Sequence, residues 1–147
     1  MGMFDAMEIS ASGLTAERLR MDVTAQNLAN AQTTRGADGQ PYRRKEVVLA
    51  ERQAQGTFGA ALAGAMSPGA TPAGVEVAAI AEDQTPLKQV YDPSHPDADA
   101  NGYVQMPNVD TVAEMVDLIS AQRAYEANVT AMQAAKQMFS KTLELLR

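Results

Sequence analysis

Val109–Arg147, VDTVAEMVDLISAQRAYEANVTAMQAAKQMFSKTLELLR, is the stretch whose reading decides the fold. It follows Met106-Pro107-Asn108 and holds neither Gly nor Pro. Ala, Leu, Met, Gln, Glu and Lys, all good helix formers, dominate it. Thr111 and Glu114 have the spacing of a capping box. Asp110, Glu114 and Asp117 come early and Lys136, Lys141 and Arg147 late, as the helix dipole favours. The spacing predicts one helix from about residue 110 to about 146, roughly 55 Å long. A compact globule of this chain length would be only about 35–40 Å across. The helix therefore calls for an elongated architecture or a neighbouring subunit.

Its faces carry the same message. Met115, Leu118, Gln122, Tyr125, Val129, Met132, Lys136, Phe139, Leu143 and Leu146 follow a 3-4 spacing, a heptad seam with polar breaks at Gln122 and Lys136. On the opposite side Ala124, Ala127, Ala131 and Ala134 recur at 3-4 spacing. Alanine there either serves helix propensity alone or admits a second helix at close range, as inside a packed assembly.

A second long helix is expected over residues 5–31. Asp5 and Glu8 resemble an N-terminal cap pair. Met7, Ala11, Leu14, Arg18, Met21, Ala25 and Leu28 repeat at heptad spacing, with Arg18 as the polar break. Ser10-Ala11-Ser12-Gly13 is a weak point where the helix bends or starts. Asn27 and Asn30 mark its end, since Asn is a poor interior residue but a ready cap and hydrogen bonder. Pairing the two terminal helices would join the ends of the chain into one rod-like body. Seams with polar breaks need a partner, so these helices should be weakly ordered in an isolated monomer.

The middle of the chain differs. Tyr42–Ala50, Gly74–Ile80, Leu87–Tyr91 and Tyr103–Met106 read as short strands between turn signals. Residues 54–74, rich in Gly and small residues, read as a mobile loop that tolerates change. The expected architecture is mainly α with a small β subdomain. Residues 1–35 and 108–147 form a coiled-coil-like helical domain, and 36–107 the β-rich part.

The chain has 147 residues, enough for one core. It has nine Met, four Tyr, three Phe and no Trp, which favours adaptable helix-to-helix packing over a large aromatic core. A net charge of −6, with no basic cluster beyond Arg43-Arg44-Lys45, argues against nucleic-acid binding. With no Cys there is no disulfide, thiol catalysis or Cys-ligated metal. No apolar run is long enough to span a membrane. The N-terminus has no basic region followed by an apolar core, so a cleaved signal peptide is not expected.

Candidate chemistry is sparse. Asp97-Ala98-Asp99-Ala100-Asn101-Gly102-Tyr103-Val104 resembles the start of a calcium loop, but position 12 is Asn108 where a bidentate Glu is required. A chain of Asx turns explains the same residues. His95, the only histidine, stands near Asp92, Asp97 and Asp99, an arrangement open to acid–base or metal work but more simply a structural hydrogen bond. No nucleophile elbow, phosphate-binding Gly loop or zinc spacing is present. The sequence reading thus implies no enzyme and no cofactor. A calcium-regulated binding module on 97–108 and a small hydrolase using His95 stand as alternatives.

The segment SGLTAERLRMDVTAQNLANA (Ser12–Ala31) resembles the N-terminal signature of bacterial flagellar rod and hook proteins. Gly74–Met138, including the HPDAD…GYV…PNV string, is similar to a proximal rod member of that family, as is Gly39-Gln40-Pro41-Tyr42-Arg43-Arg44. The resemblance implies a structural subunit of the flagellar basal-body rod that crosses the periplasm and transmits torque. It implies export through the flagellar type III apparatus without signal cleavage, and as partners other rod proteins and further copies of the chain. On this reading the interface residues are Leu14, Met21, Asn27, Leu28, Asn30, Met115, Tyr125, Ala127, Val129, Ala131, Met132 and Phe139.

Overall fold

A computed structural model describes residues 3–36, 38–52 and 74–145. The order of elements is α1 (Met3–Ala29), β1 (Lys45–Glu51), β2 (Val75–Glu82), β3 (Lys88–Tyr91), β4 (Tyr103–Met106) and α2 (Thr111–Leu145). The chain is mainly helical with a small β part, as the sequence leads one to expect. The expected loop over 54–74 lies outside the described residues except for Gly74.

The two helices, 27 and 35 residues long, pack antiparallel. Asn27 meets Glu114 at one end, Arg20 faces Asp117, and Gly13 lies against Asn128 further along. At 1.5 Å per residue they measure roughly 40 and 52 Å, so α2 is the longer by about two turns.

The buried seam is rotated from the expected one. Ala16 and Val23 on α1 and Ala121 and Ala135 on α2 form its apolar centre. Ala11, Arg18 and Ala25 on α1 face outward, as do Met115, Gln122, Lys136, Phe139 and Leu143 on α2. Leu118, Tyr125, Val129 and Met132 are half-buried at the rim. The reason is steric. Small side chains let the two backbones approach closely, and the larger ones cannot occupy the line of contact.

Gly13 shows how close that approach is. A Cβ at this position would lie 2.8 Å from Nδ2 of Asn128. The helix does not start at Ser10–Gly13, which lies within the continuous span of α1. Its hydroxyls turn back on the helix, Ser10 Oγ donating to the carbonyl of Ala6 and Thr15 Oγ1 to that of Ala11.

Each β-hairpin is a separate antiparallel pair. β1 and β2 run from Lys45↔Glu82 to Glu51↔Val75, with a register irregularity at Val48/Leu49. The irregularity turns both Val48 and Leu49 outward, where strict alternation would expose only one. This hairpin docks on α1 through Ser12, whose Oγ donates to the Ile9 carbonyl and accepts from the Val75 amide at 3.0 Å. Gly74, at φ +106°, makes that docking possible, because a side chain there would run into Ser12 Oγ. β3 and β4 pair from Lys88↔Met106 to Tyr91↔Tyr103. The two tyrosine rings meet edge to face at 5.3 Å, and Val104 is buried on the other side of the strand.

Candidate functional site: a buried polar node between the helices and the hairpin

One of the most deeply buried parts of the molecule is polar. Asn27, near the end of α1, and Glu114, in the first turns of α2, are each only 1% exposed. Asn27 Nδ2 donates to Glu114 Oε2 at 2.9 Å and to the Lys45 carbonyl at 2.8 Å. Its Oδ1 accepts from the Tyr42 hydroxyl and from the Lys45 amide, both at 2.9 Å. One side chain therefore satisfies the first residue of β1, the phenol before it and the carboxylate of α2, as burial of polar groups requires.

Arg44 completes the node. Its Nε donates to Glu114 Oε1, and its guanidinium lies 3.4 Å from Asp117, 3.8 Å from Asp83 and 3.9 Å from Glu46. The hydrogen bond to Glu114 raises the Arg44 pKa, reinforced by the charges of Glu114, Glu46 and Asp117. Burial, and then the Glu114 and Glu82 carboxylates, push the Tyr42 phenol above its ordinary value. The Arg44 amide donates to Asn108 Oδ1, and Asn108 Nδ2 reaches back to the Asp83 carbonyl and to Thr85 Oγ1. The segment before β1, the turn after β2 and the entry to α2 are thereby tied to one point. At its rim Arg20 bridges Asp117 and Glu17, at 3.8 and 3.7 Å.

The geometry corrects the reading of Thr111 and Glu114 as a capping box. Asp110 caps α2, its Oδ1 accepting from the Val112 amide at 3.0 Å and its carbonyl from the Glu114 amide. Glu114 points inward to Arg44 and Asn27 instead. Likewise α1 begins at Met3, so Asp5 lies within its first turn, and Glu8 pairs with Arg52 beside the hairpin.

The twelve expected interface residues fall into three groups. Asn27 is buried in the node. Leu14, Met21, Leu28, Asn30, Tyr125, Val129 and Met132 are half-buried along the helix pair. Met115, Ala127, Ala131 and Phe139 are exposed. Asn30, unlike Asn27, works locally, donating to the Gln26 carbonyl and accepting from Thr33 Oγ1. Sequence reasoning missed Arg44 and Glu114. The basic cluster Arg43-Arg44-Lys45 in a net-acidic chain was the available signal.

Residues 7–37 match the family described as flagella basal body rod protein, and residues 100–145 match the C-terminal family described as flagellar basal body rod FlgEFG protein. The chain is 52% identical to the flagellar basal-body rod protein FlgC of Bacillus subtilis, over 99% of both chains. It is 47% identical to FlgC of Escherichia coli O6:H1, over 99% of this chain and 98% of that one. With FlgC of Borreliella burgdorferi it shares 44% identity over 100% of this chain and 99% of that one. The chain belongs to the FlgC family of flagellar basal-body rod proteins. The two matched family segments contain the node's helical partners, Asn27 in the first and Glu114 in the second.

The acidic loop is built as a series of Asx turns. Asp92 Oδ1 accepts from the amide and hydroxyl of Ser94, which holds its carboxyl below the usual range. Asp99 Oδ1 accepts from the amides of Asn101 and Tyr103, and Asp97 takes the Thr34 hydroxyl at 2.8 Å. His95 Nδ1 accepts from the Asp97 amide at 3.1 Å, a structural hydrogen bond. The loop's acids thus serve their own backbone and residues 34–35, and nothing found supports the calcium-module alternative. Among the described residues no helix is long and apolar enough to cross a membrane.

Proposed function

We propose that the chain is a structural, non-enzymatic subunit of the flagellar basal-body rod, assembling with other rod proteins and with copies of itself to carry torque across the periplasm. It would reach that position through the flagellar type III export apparatus. The observation that carries the reading is the outer face of α2. Val112, Met115, Val116 and Ile119 line it at i, i+3, i+4 and i+7, all between 47% and 66% exposed. Four large apolar side chains in one stripe are costly in water and suit burial against a neighbour. Ala127, Ala131 and Ala134 are also exposed, further along the same helix and about a quarter turn round it. In this reading the paired helices are the axial domain and 36–107 the β-rich subdomain. The Leu14, Met21 and Leu28 edge of α1 and the Tyr125, Val129 and Met132 edge of α2 contribute rim contacts.

The test is complementation. A strain lacking the gene should lose its rods and motility, and the wild-type chain should restore both. Val116→Glu with Ile119→Glu should fold as a monomer and restore neither, because assembly would bury two unpaired charges. Normal rods from that double variant would refute the assignment of this face.

A further inference from the structure

Between residues 34–35 and 39–41 on one side and the β3–β4 hairpin on the other lies a cleft of about 340 Å³, lined by Arg35, Gln40, Gln89, Asp97, Asp99, Tyr103, Gln105 and short neighbours. Its walls are mostly polar. Gln89 and Gln105 are cross-strand partners, so their amides stand side by side on one face of the hairpin. Tyr103 stands on the same face, two residues from Gln105. Among the described residues no hydrogen bond holds the side-chain amides of Gln40, Gln89 and Gln105 or the Tyr103 hydroxyl. The acids and the base are already engaged. Arg35 lies 3.7 Å from Asp97, and Asp99 gives one oxygen to two backbone amides while keeping the other.

We infer that this cleft is a binding site for a neutral, hydroxyl-rich ligand, a short stretch of glycan chain. A sugar hydroxyl both donates and accepts, and a primary amide does the same, so three unpaired amides can each take a hydroxyl in either sense. The Tyr103 ring supplies a flat apolar surface for the C–H face of a pyranose. The remaining Asp99 oxygen is an acceptor for a further hydroxyl. Other ligand classes fit less well. A phosphate or nucleic acid would meet Asp97 and Asp99, an apolar molecule would find polar walls, and the described residues hold no group of three metal-ligating side chains. The volume is that of a small-ligand site, enough for one or two sugar rings.

The test uses the full-length, isotopically labelled protein. Chitotetraose, cellotetraose and maltotetraose are titrated to about 10 mM each while the glutamine side-chain amide signals are followed by NMR. At least one sugar should give saturating shifts at Gln89 and Gln105. Gln89→Ala with Gln105→Ala should weaken that binding at least tenfold while leaving the circular dichroism and melting temperature unchanged. Absence of saturating shifts with all three sugars, or undiminished affinity in the double variant read at the Gln40 side-chain amide, would overturn the assignment. So would a double variant that binds no sugar and also fails to build rods, with no sugar bound by the wild type. That result would make the cleft a contact with a neighbouring subunit.

Discussion

Asn27 and Glu114 stand 87 positions apart in the chain and share a 2.9 Å hydrogen bond between two buried side chains. Both side chains are buried, and neither could be buried alone without a large penalty. Replacing Asn27 with Ala leaves the Lys45 amide and carbonyl and the Tyr42 hydroxyl without their partner and takes one donor from Glu114. The expected loss is about 2–4 kcal/mol of unfolding free energy, read as a lower urea midpoint. Asn30→Ala, which removes only local bonds, should cost about 0.5–1.5 kcal/mol. Equal losses would show that the node is not special.

The alanines of α2 separate two roles. Ala121 is fully buried against α1, whereas Ala131 faces outward. Ala121→Glu should destabilise the monomer itself by about 3–5 kcal/mol, through overpacking and a buried charge. Ala131→Glu should leave the monomer's melting curve within about 0.5 kcal/mol of wild type, since Glu is nearly as good a helix former. If that face is packed in the rod, the second variant still loses motility. Motile cells with Ala131→Glu would mean that alanine is there for propensity alone.

Gly74 and Gly13 should respond differently to a methyl group. At Gly74 the positive φ and the Ser12 hydroxyl both oppose a side chain, so Gly74→Ala should cost about 2–4 kcal/mol and loosen the β1–β2 hairpin from α1. At Gly13 the obstacle is the tip of Asn128, a side chain able to move, and helix propensity favours Ala by about 1 kcal/mol. Gly13→Ala should therefore be close to neutral, while Gly13→Val should destabilise by about 1–3 kcal/mol. Thermal melts of the three variants test the ranking.

Acid should weaken the turn after β2. The Asp83 carboxyl accepts from the Thr85 amide, which lowers its pKa, and the charges of Arg44 and Arg43 lower it further. A depressed folded-state pKa contributes stability that is present above the ordinary Asp value and lost as pH falls through the folded value. The urea midpoint of the wild type should therefore fall below about pH 4, and Asp83→Asn should flatten that part of the curve. An unchanged acid limb in Asp83→Asn would remove Asp83 from the account.

The helices and all four strands are readable from periodicity and turn residues, because their signals are local. The line along which the helices meet is not. Reading the largest apolar side chains as the seam selected Met115, Phe139 and Leu143, which face outward. The true line is drawn by Gly13, Ala16, Ala121 and Ala135, small residues that register in a sequence only as helix formers. Glu114 misled for a related reason. Its spacing from Thr111 satisfies a capping rule, but Asp110 takes the cap, and a guanidinium 70 positions upstream draws the carboxylate inward. The Asx turns of 92–101 and the role of His95 were legible because each bond closes within a few residues.

The node also has a consequence for when the chain becomes whole. Its members come from residue 27, from 42–45, from 83 and from 108–117, so no fragment that ends before α2 can assemble it. A chain emerging N-terminus first, from a ribosome or from a narrow channel, holds Asn27 and Arg44 without their carboxylate until Glu114 arrives. A polypeptide cut short between Glu82 and Glu114 keeps the β1–β2 hairpin and its bonds to Asn27, but lacks the carboxylate that joins both to α2. The start of α2 is thus a late-arriving clasp, the last of the node's groups to leave the ribosome or channel.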